Sequence, residues 1–111
     1  MSVAVGNYEF EGPFIGAAQL ENRPGVYAVV NCIGDDVTVL EVSDDHRLKS
    51  RLEQHPRLAA WQRYFPNSLG VLVHYTNPNS ELERKTIMKN IHDEFGPFLN
   101  IASANENPIC V

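Results

Sequence analysis

The chain lacks any apolar run long enough to cross a membrane: stretches such as Val26 to Val30 stop far short of the roughly 20 residues a spanning helix needs. No membrane partner is therefore expected. Met1 to Phe10 has no basic start leading into an apolar segment, so no secretory signal is read there. Cysteine is scarce. Cys32 and Cys110 lie far apart, form no C-x-x-C, and join no cluster with the four histidines. A zinc site or disulfide staple is not expected, and a cytoplasmic chain with two reduced thiols is the plain inference. Neither cysteine has an activating neighbour in sequence, so neither is a candidate nucleophile. Repeats and low-complexity segments are absent, and so is any overall positive charge. A formal net charge of −5 argues against a strong non-specific grip on nucleic acid.

What is present is one soluble domain, 1–111, with an ordinary 43% hydrophobic and 21% charged share. Its charge is unevenly distributed. From His46 to Arg63 there are five basic residues (Arg47, Lys49, Arg51, Arg57 and Arg63) against one acid, Glu53. The remainder holds four basic and thirteen acidic residues, so +4 in this window faces −9 elsewhere. A molecule polarised in this way can turn one cationic face to a phosphate-bearing partner.

In chain order, Tyr8 to Glu11 alternates as an edge strand or extended arm that closes at Gly12-Pro13. Arg23-Pro24-Gly25 is a turn. Val26 to Asn31 is rich in β-branched residues that are apolar on both faces, which suits a central strand. After the Gly34-Asp35-Asp36 turn, Val37 to Ser43 completes a hairpin. A helix is expected from Ser43 or Asp44, as N-cap, to His55, where Pro56 stops it. A second short helix spans Arg57 to Tyr64, with Leu58, Trp61 and Phe65 at helical spacing. Val71 to Thr76 is a third strand. Ser80 and Glu83 form a capping box for a last helix, Glu81 to Phe95, stopped by Gly96-Pro97. The economical architecture is α+β: a small three-stranded, mainly antiparallel sheet flanked by helices, with an N-terminal arm (1–22), a core (23–100) and a polar tail (101–111).

Two residues interrupt the apolar stripes. Leu48, Arg51, Leu52 and His55 follow i, i+3, i+4, i+7, so a guanidinium and an imidazole lie on a face that packing alone would make apolar. Arg51 either runs along the edge of the core to solvent or meets an anion. Glu83 continues the stripe of Ile87 and Ile91, where a capping box explains it without a ligand and a metal ion explains it with one. With Tyr27 these residues suit phosphodiester chemistry. A carboxylate can hold a divalent cation that polarises a phosphate oxygen, a guanidinium can clamp the phosphate, and a phenol or imidazole can orient an attacking water. Trp61 and Tyr64 can stack bases beside Arg57 and Arg63, although Trp61 also has the spacing of a core residue.

Arg23-Pro24-Gly25-Val26-Tyr27 resembles the P-G-I/V-Y opening of the GIY-YIG nuclease superfamily. Leu48-x-x-Arg51-Leu52-x-x-His55 is similar to its L-x-x-R-L-x-x-H helix. Glu81 through Lys89, then Pro97-Phe98-Leu99-Asn100, is similar to its last helix and closing P-x-x-N. The resemblance covers residues 23 to 100 and implies the superfamily's β-β-α-β-α core and metal-dependent hydrolysis, of DNA before RNA. By matching position, Tyr27, Arg51 and Glu83 would be catalytic, with His55 supporting. Glu83 would bind Mg2+ or Mn2+, while Arg47, Lys49, Arg57 and Arg63 would hold nucleic acid. The second motif, Y-I-G, falls on Glu41-Val42-Ser43, so its tyrosine is replaced, and Asp44-Asp45 set two negative charges where a phosphate would approach. Glu41 is either a substitute base or metal ligand, or a strand glutamate at a solvent edge. A catalytically inactive member that binds nucleic acid or a protein is the alternative. No added DNA-recognition domain is read within these residues, so a nuclease of this length would need a protein partner to supply specificity, or would have loose specificity.

Overall fold

The computed structural model describes residues 2–34, 36–77, 80–95 and 100–102. Strands β1 (Ser2–Val5), β2 (Tyr8–Phe14), β3 (Gly25–Ile33) and β4 (Asp36–Asp45) come first. Helices α1 (Leu48–Glu53) and α2 (Leu58–Tyr64), strand β5 (Leu69–Tyr75), helix α3 (Glu81–Phe95) and strand β6 (Asn100–Ala102) follow. The strands form one six-stranded sheet in the order β1-β2-β5-β3-β4-β6, antiparallel at each pairing. The expected three-stranded sheet is thereby corrected. Strands β3, β4 and β5 are its centre, and β1, β2 and β6, in the expected arm and at the start of the expected tail, widen it.

Residues 1–22 are not an arm because Val3, Val5 and Phe10 alternate inward and are buried with Ile87 and Ile91 of α3. The β1–β2 hairpin turns at Gly6-Asn7 and pairs its second strand with β5. Strand β2 also runs on through Gly12-Pro13, joined by a cis peptide, where the sequence suggests an end. Gly12 sits at φ +120°, and a Cβ there would stand 2.6 Å from the Val71 carbonyl oxygen. Only glycine lets the two backbones approach this closely. At the other edge, the expected polar tail opens instead with β6, which pairs with β4.

Strand β3 is central, as its composition suggests, and is buried from Gly25 to Cys32. Its alternation sorts the core into two layers. Val26, Ala28 and Val30 face α3 and meet Ile87 and Ile91. Tyr27 and Val29 face the opposite side and pack with Leu48 and Leu52 of α1, with Leu58 and Trp61 of α2 partly buried against them. Burying a leucine contributes about 2 kcal/mol, so the two leucines hold a six-residue helix that would not persist alone.

Helix α1 is shorter than expected. Ser43, Asp44 and Asp45 do not cap it; they extend β4, paired with Tyr27, Val26 and Gly25. The ladder hydrogen bonds of a central strand outweigh local capping preference. The helix start is served from outside instead: the Asp45 carboxylate accepts the Arg47 amide at 2.9 Å, and the Asn22 side chain accepts the Ser50 amide at 3.1 Å. Helix α3 matches its expected span, and the Ser80 hydroxyl accepts the Glu83 amide at 3.1 Å. The Gly96-Pro97 stop lies outside the described residues.

Cys32 is disulfide-bonded, which corrects the expectation of two reduced thiols. Cys110 lies outside the described residues. No helix among the described residues is long and apolar enough to cross a membrane.

Candidate anion-binding site

Four polar side chains meet where α1 crosses the Tyr27 face of the sheet. Tyr27 comes from β3, Glu41 from β4, Arg51 from α1 and His55 from the turn after it. The Tyr27 hydroxyl donates to Glu41 Oε2 at 2.8 Å and accepts from Arg51 Nε at 3.4 Å. His55 Nε2 meets the same carboxylate oxygen. The Arg57 amide donates to His55 Nδ1 at 3.1 Å, so the ring proton of the neutral imidazole lies on Nε2, aimed at Glu41. Trp61 closes the far side, its ring 5.2 Å from that of His55.

Sequence reasoning placed Tyr27, Arg51 and His55 together, and the fold does so. It undervalued Glu41. Strict alternation along β4 would set Glu41 on the face of Val37 and Val39, which pack in the α3 layer. A bulge intervenes: Val29 pairs with Glu41 and Val30 with Val39, leaving Leu40 extra. The inserted residue turns Glu41 onto the Tyr27 face. Its position opposite the missing second tyrosine was the only sequence signal.

The cluster is charged but internally bonded. Burial pushes the Tyr27 phenol up, outweighing the lowering hydrogen bond from Arg51, so it stays protonated. Burial would raise the Glu41 carboxyl, but hydrogen bonds from His55 and Tyr27 outweigh that and hold it below the ordinary carboxylate value. The hydrogen bond to Tyr27 raises Arg51, chiefly among the influences on it, so the guanidinium remains charged. Arg51 engages the cluster through Nε, and its terminal Nη groups bond to none of the described residues. Tyr27 is 0% exposed and its hydroxyl is used in both directions. The polar atoms of the cluster that bond to none of the described residues are thus the Arg51 Nη groups and Glu41 Oε1, the latter on a side chain 21% exposed.

Glu83 is not with them. It is exposed on α3, the helix that covers the Val26 face, and lines a shallow cleft of about 360 Å³ with Tyr8, His74, Ser80, Thr86 and Ile87. His74 pairs with Val26 and so shares that face, opposite Arg51. No second carboxylate lines the cleft, and among the described residues no three His, Cys, Asp or Glu side chains converge. A divalent cation held by Glu83 and a phosphate held by Arg51 would stand on opposite sides of the sheet, so these residues do not fit a shared Mg2+ or Mn2+ centre. Asp44 also faces away from Arg51, correcting the expectation that it loads the phosphate approach. Its two oxygens are held by Arg84 Nε at 3.2 Å and Lys85 Nζ at 3.1 Å. Arg84, buried on α3, is a residue that sequence reasoning missed, although it stands at i, i+3, i+4, i+7 with Ile87, Met88 and Ile91, the same kind of signal that marks Arg51.

The remaining cations divide cleanly. Arg23, Arg84, Lys85 and Lys89 each have a carboxylate partner. Arg47, Lys49, Arg51, Arg57 and Arg63, carried by α1, α2 and their flanks, form no ion pair among the described residues. No family model, curated protein or solved structure matched the chain when it was compared with known proteins.

Proposed function

We propose that this chain is a GIY-YIG-like module that binds the phosphates of a nucleic acid across its α1–α2 face and does not hydrolyse them. The observation that carries the proposal is the division of the nine Lys and Arg residues: the five on α1, α2 and their flanks form no ion pair among the described residues, and the other four are each paired. Unpaired surface cations attract a polyanion at long range and release its counterions on contact. Arg51 differs from the other four in being held by a phenol, with its terminal nitrogens left for a phosphate. The position of Glu83 on the far face supports binding over cleavage. The Cys32 disulfide is a bond of oxidising surroundings, so it weighs against the cytoplasmic placement expected from the sequence.

Fluorescence anisotropy with labelled DNA and RNA, titrated with salt, tests the reading. Three to five phosphate contacts give a slope of log K against log salt of roughly −2 to −4, and Arg47→Gln with Arg57→Gln and Arg63→Gln flattens it. Absence of binding at low salt refutes the proposal. Cleavage that requires Mg2+ or Mn2+ and is lost in Glu83→Ala returns the nuclease reading instead.

A further inference from the structure

Tyr64, at the end of α2, is 78% exposed. The other three tyrosines each bond through the hydroxyl: Tyr8 to Asn90, Tyr27 to Glu41 and Arg51, Tyr75 to the Glu21 amide. The Tyr64 hydroxyl bonds to none of the described residues, and the ring's one aromatic neighbour is Phe65, tilted by 53°. Packing therefore does not account for an aromatic ring at this position. Its surroundings suggest another role. Arg57 is the N-cap of α2 and Tyr64 its last residue, so they stand at the two ends of the helix, roughly 10 Å apart along its axis. Arg63 is adjacent, and neither arginine forms an ion pair among the described residues.

Resting on the phosphate-binding reading above, we propose that the nucleic acid taken by this face is single-stranded, with one unpaired base stacked on the Tyr64 ring and flanking phosphates at Arg57 and Arg63. A duplex keeps its base faces inside its own stack, so an exposed ring next to cations gains nothing from it beyond charge. An unpaired base adds its face. Ribose and deoxyribose strands share this chemistry, and the choice between them is left to the 2′-hydroxyl.

The test is anisotropy of the full chain with labelled oligo-dT and oligo-rU of about twelve nucleotides, with a duplex of equal length, and with heparin as a base-free polyanion. The single strands bind more tightly than the duplex. Tyr64→Ala weakens single-strand binding roughly tenfold and leaves heparin and duplex binding as they were, whereas Tyr64→Phe keeps wild-type affinity. A larger loss on dT than on rU, or the reverse, identifies the strand preferred. Salt-dependent binding that survives Tyr64→Ala at full strength, or that favours the duplex, overturns this inference and leaves phosphate binding standing. Binding to none of the polyanions overturns both. A Tyr64 ring that serves a protein contact gives the first of these results.

Discussion

Replacing Glu41 with alanine tests whether the four-residue cluster is a bonded unit in solution. Glu41 Oε2 receives the Tyr27 hydroxyl at 2.8 Å and His55 Nε2. Both donors are shut from water, since the His55 side chain is 1% exposed and Tyr27 0%. A hydrogen bond to a charged acceptor contributes about 1.5–3 kcal/mol, so two set a ceiling of about 3–6 kcal/mol. The Glu41 side chain is itself 21% exposed, and water entering the vacated space recovers part of that sum. The expected cost of Glu41→Ala is about 2–4 kcal/mol, a drop in Tm of roughly 8–16 °C for a domain of this size. Glu41→Gln keeps an acceptor for one donor and turns an amide nitrogen toward the other, costing about 1–2 kcal/mol. The assay is circular-dichroism melting near neutral pH, backed by urea unfolding, and a cost below about 0.5 kcal/mol for Glu41→Ala refutes the cluster. Acid titration adds an independent check. Burial opposes ionisation of Glu41, but the bonds from His55 and Tyr27 prevail and the folded value lies below the ordinary 4.5. A depressed folded value gives stability that is complete above the unfolded value and is lost as pH falls through the folded one. The stability gap between wild type and Glu41→Gln therefore stays constant down to about pH 5 and closes below it. A gap unchanged in acid contradicts the assigned bonds.

Arg84→Ala leaves the Asp44 carboxylate, 10% exposed, with Lys85 alone, and should cost about 2–4 kcal/mol by urea unfolding. Lys85→Ala, at a side chain 58% exposed, should cost under about 1 kcal/mol, and equal costs would refute the placement of Arg84. Gly25→Ala puts a Cβ 2.4 Å from the His74 carbonyl oxygen and 3.0 Å from the Tyr75 Cα, so β3 and β5 must part. A loss of about 2–4 kcal/mol is expected, and a neutral result would contradict the close strand approach. Glu83→Ala should leave nucleic-acid affinity unchanged, because that side chain is on the far face; anisotropy checks it.

The parts legible in the sequence were those written in periodicity and turn chemistry. β3 could be seen in its run of β-branched residues, and α3 in Ser80 and the Ile87–Ile91 stripe. Arg51 and His55 stood out as polar members of an apolar face, and they do adjoin Tyr27. What escaped depends on long-range pairing. The N-terminal hairpin hides behind Gly12-Pro13, whose proline reads as a strand end until β5 is seen beside it. Ser43 to Asp45 have the composition of a helix cap and become strand because β3 supplies a ladder. Glu41 depends on one inserted residue, Leu40, and strand alternation alone points it to the wrong face. Glu83 failed for a different reason: the buried stripe of α3 continues from Ile91 and Ile87 to Arg84 and leaves Glu83 exposed, and helical spacing does not say which face of the sheet α3 covers.

These misreadings share a consequence for the site. With a tyrosine at position 41, as the resembled motif has it, the Arg51 edge would meet a second neutral phenol. With glutamate there, the cluster contains its own anion, and Tyr27 and His55 are committed to it. Internal bonds then restrain the guanidinium through Tyr27, while Arg47, Lys49, Arg57 and Arg63 have no such tether among the described residues. Unpaired like charges a few ångströms to a nanometre apart in water repel by about 0.5 kcal/mol per pair, and among the described residues no carboxylate forms an ion pair with any of the five. Asp44 is turned to the opposite face and taken by Arg84 and Lys85, whereas Asp45, the next residue of β4, stays near Arg51 and raises it. Repulsion among the cations of α1, α2 and their flanks, beside neutralisation of Asp44 on the other face, is the imbalance that the proposed phosphate partner would relieve.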